Sequence, residues 1–214
     1  MLSIIQAAGW PIWPLILCSI LALAFIIERF IKLKSSRILG SSNLLDEAIG
    51  ISRNSVPTPD IAAQLAENCA LGEVLAAGWR ALNQNPHSTP GDVRAAMQAA
   101  GRSVAHQMER YLPALGTIAS AAPLLGLLGT VIGMIEIFGS QASTGALSGG
   151  NPTMLAHGIS TALYNTAFGL IVAIPSLIFW RYFRARVDGY TLALELAAER
   201  FARHLERFCA GGRQ

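Results

Sequence analysis

Charge is what this chain most lacks. Asp, Glu, Lys and Arg make up 14% of its 214 residues, against about 25% in an average soluble domain. Apolar residues make up 52%, and the mean hydropathy is +0.44. So few polar groups cover a soluble surface poorly, which argues against an ordinary cytosolic enzyme. The same numbers exclude disorder. Cysteine is scarce as well. Cys18 lies in an apolar run, and Cys69 and Cys209 lie far apart in charged regions, so no disulfide framework is expected. There is no Cys-x-x-Cys pair, and His87, His106, His157 and His204 are scattered, so neither a metal nor a cofactor is expected. No phosphate loop or nucleophile–base constellation is visible, and the chain is not expected to be an enzyme. A net charge of +3 and a pI near 9.0 are too weak to point to nucleic acid.

What the chain does have is long uncharged runs. Residues 1–27 carry no charged side chain, and 10–27 (WPIWPLILCSILALAFII) are apolar but for Ser19. About 20 such residues cross the hydrocarbon of a bilayer. The positive charges Arg29, Lys32, Lys34 and Arg37 follow this run rather than precede it. That is the reverse of a secretory signal, so an uncleaved span is expected. Residues 111–135 and 158–180 form two further uncharged runs of 25 and 23 residues. Nine Lys and Arg lie between residues 28 and 110, and the other seven lie between 181 and 213. The segment GSQASTGALSGGNPT at 139–153 has none. The positive-inside rule then places the N-terminus and that segment outside and the two basic segments in the cytoplasm. The expected class is all-α: a polytopic membrane protein with three transmembrane helices and long helices extending into the cytoplasm. Its expected parts are an outer N-terminus and first span over 1–30, a cytoplasmic helical region over 31–110, a second span over 111–138, an outer loop over 139–154, a third span over 155–182 and a cytoplasmic helix over 183–214.

Within 31–110, Pro57 with Pro59 and the stretch NPHSTPG at 85–91 read as helix breaks. Thr89 can cap the following helix, with Pro90 in its first turn. Val93, Met97, Ala100, Val104, Met108 and Tyr111 then recur at helical spacing. The expectation is one helix running straight into the second span as far as Phe138, a rod of roughly 70 Å, kinked at Pro113 and Pro123. In the last segment, Val187, Leu194, Phe201 and Phe208 recur every seven residues, with Tyr190, Ala197 and His204 three places on. This is a short seam of the coiled-coil kind. It suits packing on residues 90–110 of the same chain and packing between neighbouring subunits equally well. The arginines lining this helix suit anionic lipid or solvent better than nucleic acid.

The second span carries Ala119, Pro123, Gly126, Thr130 and Gly133 at spacings of 4, 3, 4 and 3, which puts them on one face. The third carries Gly158, Ala162, Thr166, Gly169 and Ala173. Small residues at this spacing let helix backbones approach closely, so an antiparallel hairpin is expected. Thr130 and Thr166 fall within about one turn of the same depth, which favours a shared polar surface. Thr161 and Asn165 add polarity on a neighbouring face, and Asn165 should face protein or water. No Asp, Glu, Lys or Arg lies within the interior of any span. Glu136 and His157 sit at the outer ends, where Glu136 either shapes a pore mouth or ends a helix in the headgroups. A proton relay needs a titratable group in the membrane, so a partner would have to supply it.

The stretches APLLGLLGTVIGMIEIF (122–138) and GISTALYNTAFGLIVAIP (158–175) resemble the MotA/TolQ/ExbB proton-channel family, most strongly its ExbB and TolQ branch. The core of the resemblance covers residues 112–182. It implies a bacterial inner-membrane subunit forming a homo-oligomer of five around an ExbD- or TolR-like single-span protein that supplies an aspartate. It further implies that proton flow drives movement passed to a TonB- or TolA-like protein. Family pore threonines fall on Thr130 and Thr166. Many members have a glutamate where this chain has Thr161, and a threonine cannot replace a titratable group. Three spans argue against the flagellar branch, and the wording of 122–138 looks more like ExbB than TolQ. A membrane scaffold that conducts nothing is the reading from a different class.

Overall fold

The computed structural model describes residues 10–41, 43–85, 87–143 and 152–209. The side chains of 140–143, 152–155, 157 and 161 lie outside the described set. The described chain is helical throughout: α1 Ile12–Lys32, α2 Ser35–Ile38, α3 Leu44–Ile51, α4 Pro59–Asn68, α5 Ala70–Gln84, α6 Pro90–Glu109, α7 Leu112–Ser143 and α8 Pro152–Leu205, followed by a 3-10 turn Glu206–Phe208. Three of these helices are long and apolar enough to cross a membrane. The chain divides into two compact units. One comprises residues up to Glu28 together with 111–182, and the other comprises Arg29–Arg110 with residues from Phe183 on.

The membrane unit is built from α1, α7 and the first part of α8. Leu15 of α1, Ala122 of α7 and Ala173 of α8 form its buried centre, flanked by Leu125, Phe168 and Val172. Large apolar side chains cover its outside: Leu17, Ile20 and Leu23 on α1, Leu124 and Ile135 on α7, and Ile171 and Ile178 on α8 are all exposed. That distribution suits lipid as solvent, because hydrocarbon does not penalise an apolar surface. Two serine hydroxyls in this unit bond to their own helix. Ser120 donates to Gly116 O at 3.1 Å and Ser176 to Val172 O at 2.7 Å. Such back-bonds satisfy the group without a neighbour.

The expected continuous rod is interrupted. The chain leaves helical geometry at Arg110 (φ −51°, ψ 135°) and Tyr111 (φ 65°). Pro113 is the physical reason. In a continuous helix its ring would strike the carbonyl four residues back, Glu109 O, and no N–H would reach that oxygen. So α6 ends at Glu109, and Pro113 becomes the second residue of α7, a first-turn position where a missing N–H costs nothing. Tyr111 sits in the left-handed region, which strains a residue with a Cβ. Its ring stacks on Phe25 at 5.1 Å and 10°, a contact that helps hold it there. The segment expected as a loop from 139 is helical to Ser143, and α8 already begins at Pro152. Residues 144–151 of that loop lie outside the described residues.

The helical unit packs α4 to α6 against the later part of α8. Trp79 is fully buried and meets the Phe201 ring edge-on at 5.6 Å. Val74, Leu75, Met97, Leu194 and Leu205 are buried with them. The heptad seam of α8 is therefore filled by the chain's own helices: Val187, Tyr190, Leu194 and Phe201 are all buried, whereas Phe208 is half-exposed. Ion pairs flank it. Arg94 of α6 bonds Glu206 and lies 3.7 Å from Glu199, and Arg184 lies 3.1 Å from Glu109.

Two helix starts have clear causes. Thr89 Oγ1 accepts from Asp92 N, and the Asp92 carboxylate accepts from Thr89 N, a reciprocal capping box. The backbone bond from Thr89, reinforced by its hydroxyl, holds the Asp92 carboxyl below the usual range. Thr89→Ala is expected to cost about 1 kcal/mol in urea unfolding of the solubilised protein; an unchanged midpoint would assign the helix start to Pro90 alone. The other start has no sequence signal of the usual kind. Cys69 is extended (φ −165°, ψ 168°), separates α4 from α5, and accepts from Gly72 N through Sγ at 3.3 Å. A Cβ on Gly72 would lie 2.0 Å from Leu65 O, so this corner requires glycine.

Candidate functional site: the paired small-residue helices

The α7–α8 pair is set by glycine. A Cβ on Gly126 would stand 2.7 Å from Asn165 O and 3.0 Å from Thr166 Cα. One on Gly169 would stand 2.6 Å from Ala122 O, and one on Gly133 3.1 Å from Ala162 Cβ. One on Gly158 would stand 2.6 Å from Ile137 Cδ1. Backbone thus lies against backbone, the close approach that small residues permit in lipid.

The contact face of α7 differs from the expected one. It runs Ala122, Gly126, Gly129, Gly133, and not through Pro123 and Thr130. Gly129 is a contact the face pattern missed: its hypothetical Cβ would lie 2.7 Å from Asn165 Cβ and 2.9 Å from Asn165 Nδ2. The Gly126-x-x-Gly129 repeat carried that signal. Thr130 is one residue, about 100°, around the helix from Gly129.

The two threonines are therefore used differently. Thr166 Oγ1 donates across the pair to Gly126 O at 3.3 Å. Thr130 Oγ1 donates to Leu127 O of its own helix at 2.7 Å. Thr130 also lines a shallow apolar depression with Val131, Met134, Ile135 and Phe138. A hydroxyl that donates to a carbonyl keeps its lone pairs free to accept, so Thr130 can still orient a water or a passing proton carrier. Asn165 is buried (2% exposed) against Gly129. Ala162 is buried as well, against Gly133. Glu136 is exposed on α7. Thr161 belongs to α8, but its side chain lies outside the described residues.

This geometry is a tightly fused helix pair with no charged group at its centre. A family model for the MotA/TolQ/ExbB proton channel family matches residues 66–196, which contain all of α7 and most of α8. The chain belongs to this family. Membership makes it a proton-channel subunit, not an enzyme. Among its relatives, the biopolymer transport protein exbB1 of Vibrio cholerae is 33% identical over 176 residues, 80% of this chain and 74% of its own length. The putative biopolymer transport protein ExbB-like 3 of Synechocystis is 32% identical over 203 residues, 92% of this chain and 94% of its own. The Tol-Pal system protein TolQ of Pseudomonas aeruginosa is 34% identical over 119 residues, 53% of this chain and 50% of its own.

Proposed function

We propose that this chain is an ExbB-type subunit, and that with an ExbD-like single-span protein it couples the proton motive force to TonB-dependent transport across the outer membrane. The carrying observation is the end-to-end match to the ExbB-like relative, 92% of one chain and 94% of the other, where the TolQ match covers about half of each. The reading places five copies in a ring in the bacterial inner membrane, with the N-terminus and the segment 139–154 outside and residues 31–110 and 183–214 in the cytoplasm. The distribution of all 16 basic residues supports this orientation. The absence of a carboxylate within residues 111–135 and 158–180 supports a partner that supplies the titrating aspartate. Thr130 lines the proton pathway through its free lone pairs. Thr166 and Asn165 fix the helix pair that presents it, and Thr161 stands where many relatives have glutamate, one turn before Asn165.

The TolQ reading keeps support from a second relative, the TolQ of Haemophilus influenzae, 38% identical over 99 residues. The two readings separate in a host lacking its own ExbB and TolQ and supplied with this chain and its partner. Restored, gradient-dependent uptake of iron chelates is the ExbB outcome. Restored envelope integrity without uptake is the TolQ outcome, and assembly with neither is that of a scaffold. Thr130→Val is isosteric and removes the hydroxyl. It is expected to lower energised uptake about 100-fold with assembly unchanged, the low end of the range for a group positioned on a proton transfer. Wild-type uptake in that variant would remove Thr130 from the pathway.

A further inference from the structure

The end of α8 holds a polar cluster that the channel does not use. Ser52 closes α3 and is fully buried. Its carbonyl accepts from Arg207 Nη2 at 2.9 Å. The same Nη2 lies 2.6 Å from His204 Nε2. His204 Nε2 in turn lies 3.4 Å from Ser52 O and 3.2 Å from Ser52 Oγ. Ser52 Oγ donates to Ala48 O at 2.7 Å, in the last turn of α3.

Arginine keeps its protons in proteins. Nε2 beside Nη2 must therefore be the acceptor, so His204 is neutral here with its proton on Nδ1. A second proton would go to Nε2. It would then face a guanidinium that can only donate, and two oxygens of Ser52 that can accept. The two protonation states thus need the same atoms in incompatible ways. From these contacts we infer that His204 and Arg207 exchange as donors to the Ser52 carbonyl when His204 is protonated, making the end of α8 a proton-sensitive clasp on α3.

The surroundings bias the clasp toward its closed form. Burial first, and the Arg207 guanidinium second, hold His204 below the ordinary imidazole value, while the Ser52 carbonyl, which only the protonated ring can donate to, pulls the other way. The Phe201 ring stacks on the imidazole at 6.2 Å. Glu206, the nearest carboxylate in sequence, is engaged by Arg94 of α6. On α3 the acids Asp46 and Glu47 sit in the first turn, at the end away from Ser52, and Arg53 follows Ser52 as a further cation. A folded-state value below the unfolded one, about 6.5, fixes the sign. The clasp contributes fully above the ordinary imidazole value and is lost as pH falls through the lower folded value. The exchange is a property of the helical unit whichever envelope system the chain serves. In the orientation proposed above, the clasp faces the compartment that receives the protons.

The test is amide hydrogen exchange on the full-length protein in detergent, corrected for intrinsic rates, at about pH 7.5 and about pH 5.5. In the wild type, amides around 48–54 and 203–209 are expected to lose protection about tenfold on acidification. His204→Gln keeps an acceptor for Arg207 but cannot titrate, and its pH step is expected to vanish. Arg207→Gln removes the competing cation, so the His204 ring resonance in NMR is expected to titrate at higher pH than in the wild type. A step of equal size in wild type and His204→Gln, no step in either, or a His204 titration indifferent to Arg207→Gln would each overturn the exchange. None of these readouts depends on transport activity.

Discussion

Gly126→Leu is expected to prevent α7 and α8 from pairing. The atoms it would meet are Asn165 O and Thr166 Cα, at 2.7 and 3.0 Å from its Cβ alone. Both belong to backbone, which cannot rotate aside as a side chain can. The helices must separate, and Gly169 then loses its contact with Ala122 O as well. Inserting bulk into a packed core costs about 1–3 kcal/mol where side chains can adjust, and more where they cannot. Loss of the folded species in detergent is the expected outcome, read as thermal unfolding and as failure to assemble. Gly129→Ala is the graded version. Its Cβ meets Asn165 Cβ at 2.7 Å and Cγ at 2.9 Å, so Asn165→Gly in the same molecule, which removes both atoms, should restore part of the loss, with a coupling of about 1 kcal/mol or more. Strict additivity of the two changes would show that Asn165 is not what Gly129 accommodates.

The second large effect is expected at Arg29. It is 1% exposed in the last turn of α1. Its Nη1 donates to Met108 O at 2.9 Å and Gln107 O at 3.4 Å. These are last-turn carbonyls of α6, left without helical partners by the break at Arg110–Tyr111. A guanidinium there satisfies the oxygens and complements the negative end of the helix. Arg29→Met keeps the apolar stem of the side chain and removes the guanidinium donors. The buried Met108 carbonyl and the half-buried Gln107 carbonyl then lose this donor, at about 1–3 kcal/mol for a fully buried group. The expected cost is about 2–4 kcal/mol, with faster tryptic cleavage after Arg110 as the end of α6 frays. Arg29→Lys should recover one bond and part of the stability. Wild-type stability in Arg29→Met would mean that water reaches those carbonyls.

The spans were legible because each needs only length and a lack of charge, and both are one-dimensional properties. The Thr89 cap was legible because its partner, Asp92, is three residues away. Features that depend on packing were not. In the sequence Pro113 reads as a kink within one rod, and its clash with the carbonyl of Glu109 makes it instead a first-turn residue of a new helix. The small-residue stripe of α7 runs through Thr130 in the sequence, yet Gly129 lies nearer the seam. Gly126, Gly129 and Gly133 make as regular a stripe as Gly126, Thr130 and Gly133, and the bulk of Asn165 on the opposing helix selects between them. Arg29 counted only as a cytoplasmic charge, because nothing in the sequence says that an α6 terminus needs a donor. The α8 seam suited two partners, and the fit of Trp79 and Met97 within the same unit chose the chain itself.

Proton movement in vesicles tests the central claim most directly. The chain is reconstituted alone, with its single-span partner, and with that partner carrying Asn in place of its membrane aspartate. Under an imposed potential, acidification is expected with the intact pair only. Equal acidification by this chain alone would contradict the account, because residues 10–27, 111–135 and 158–180 carry no charged side chain.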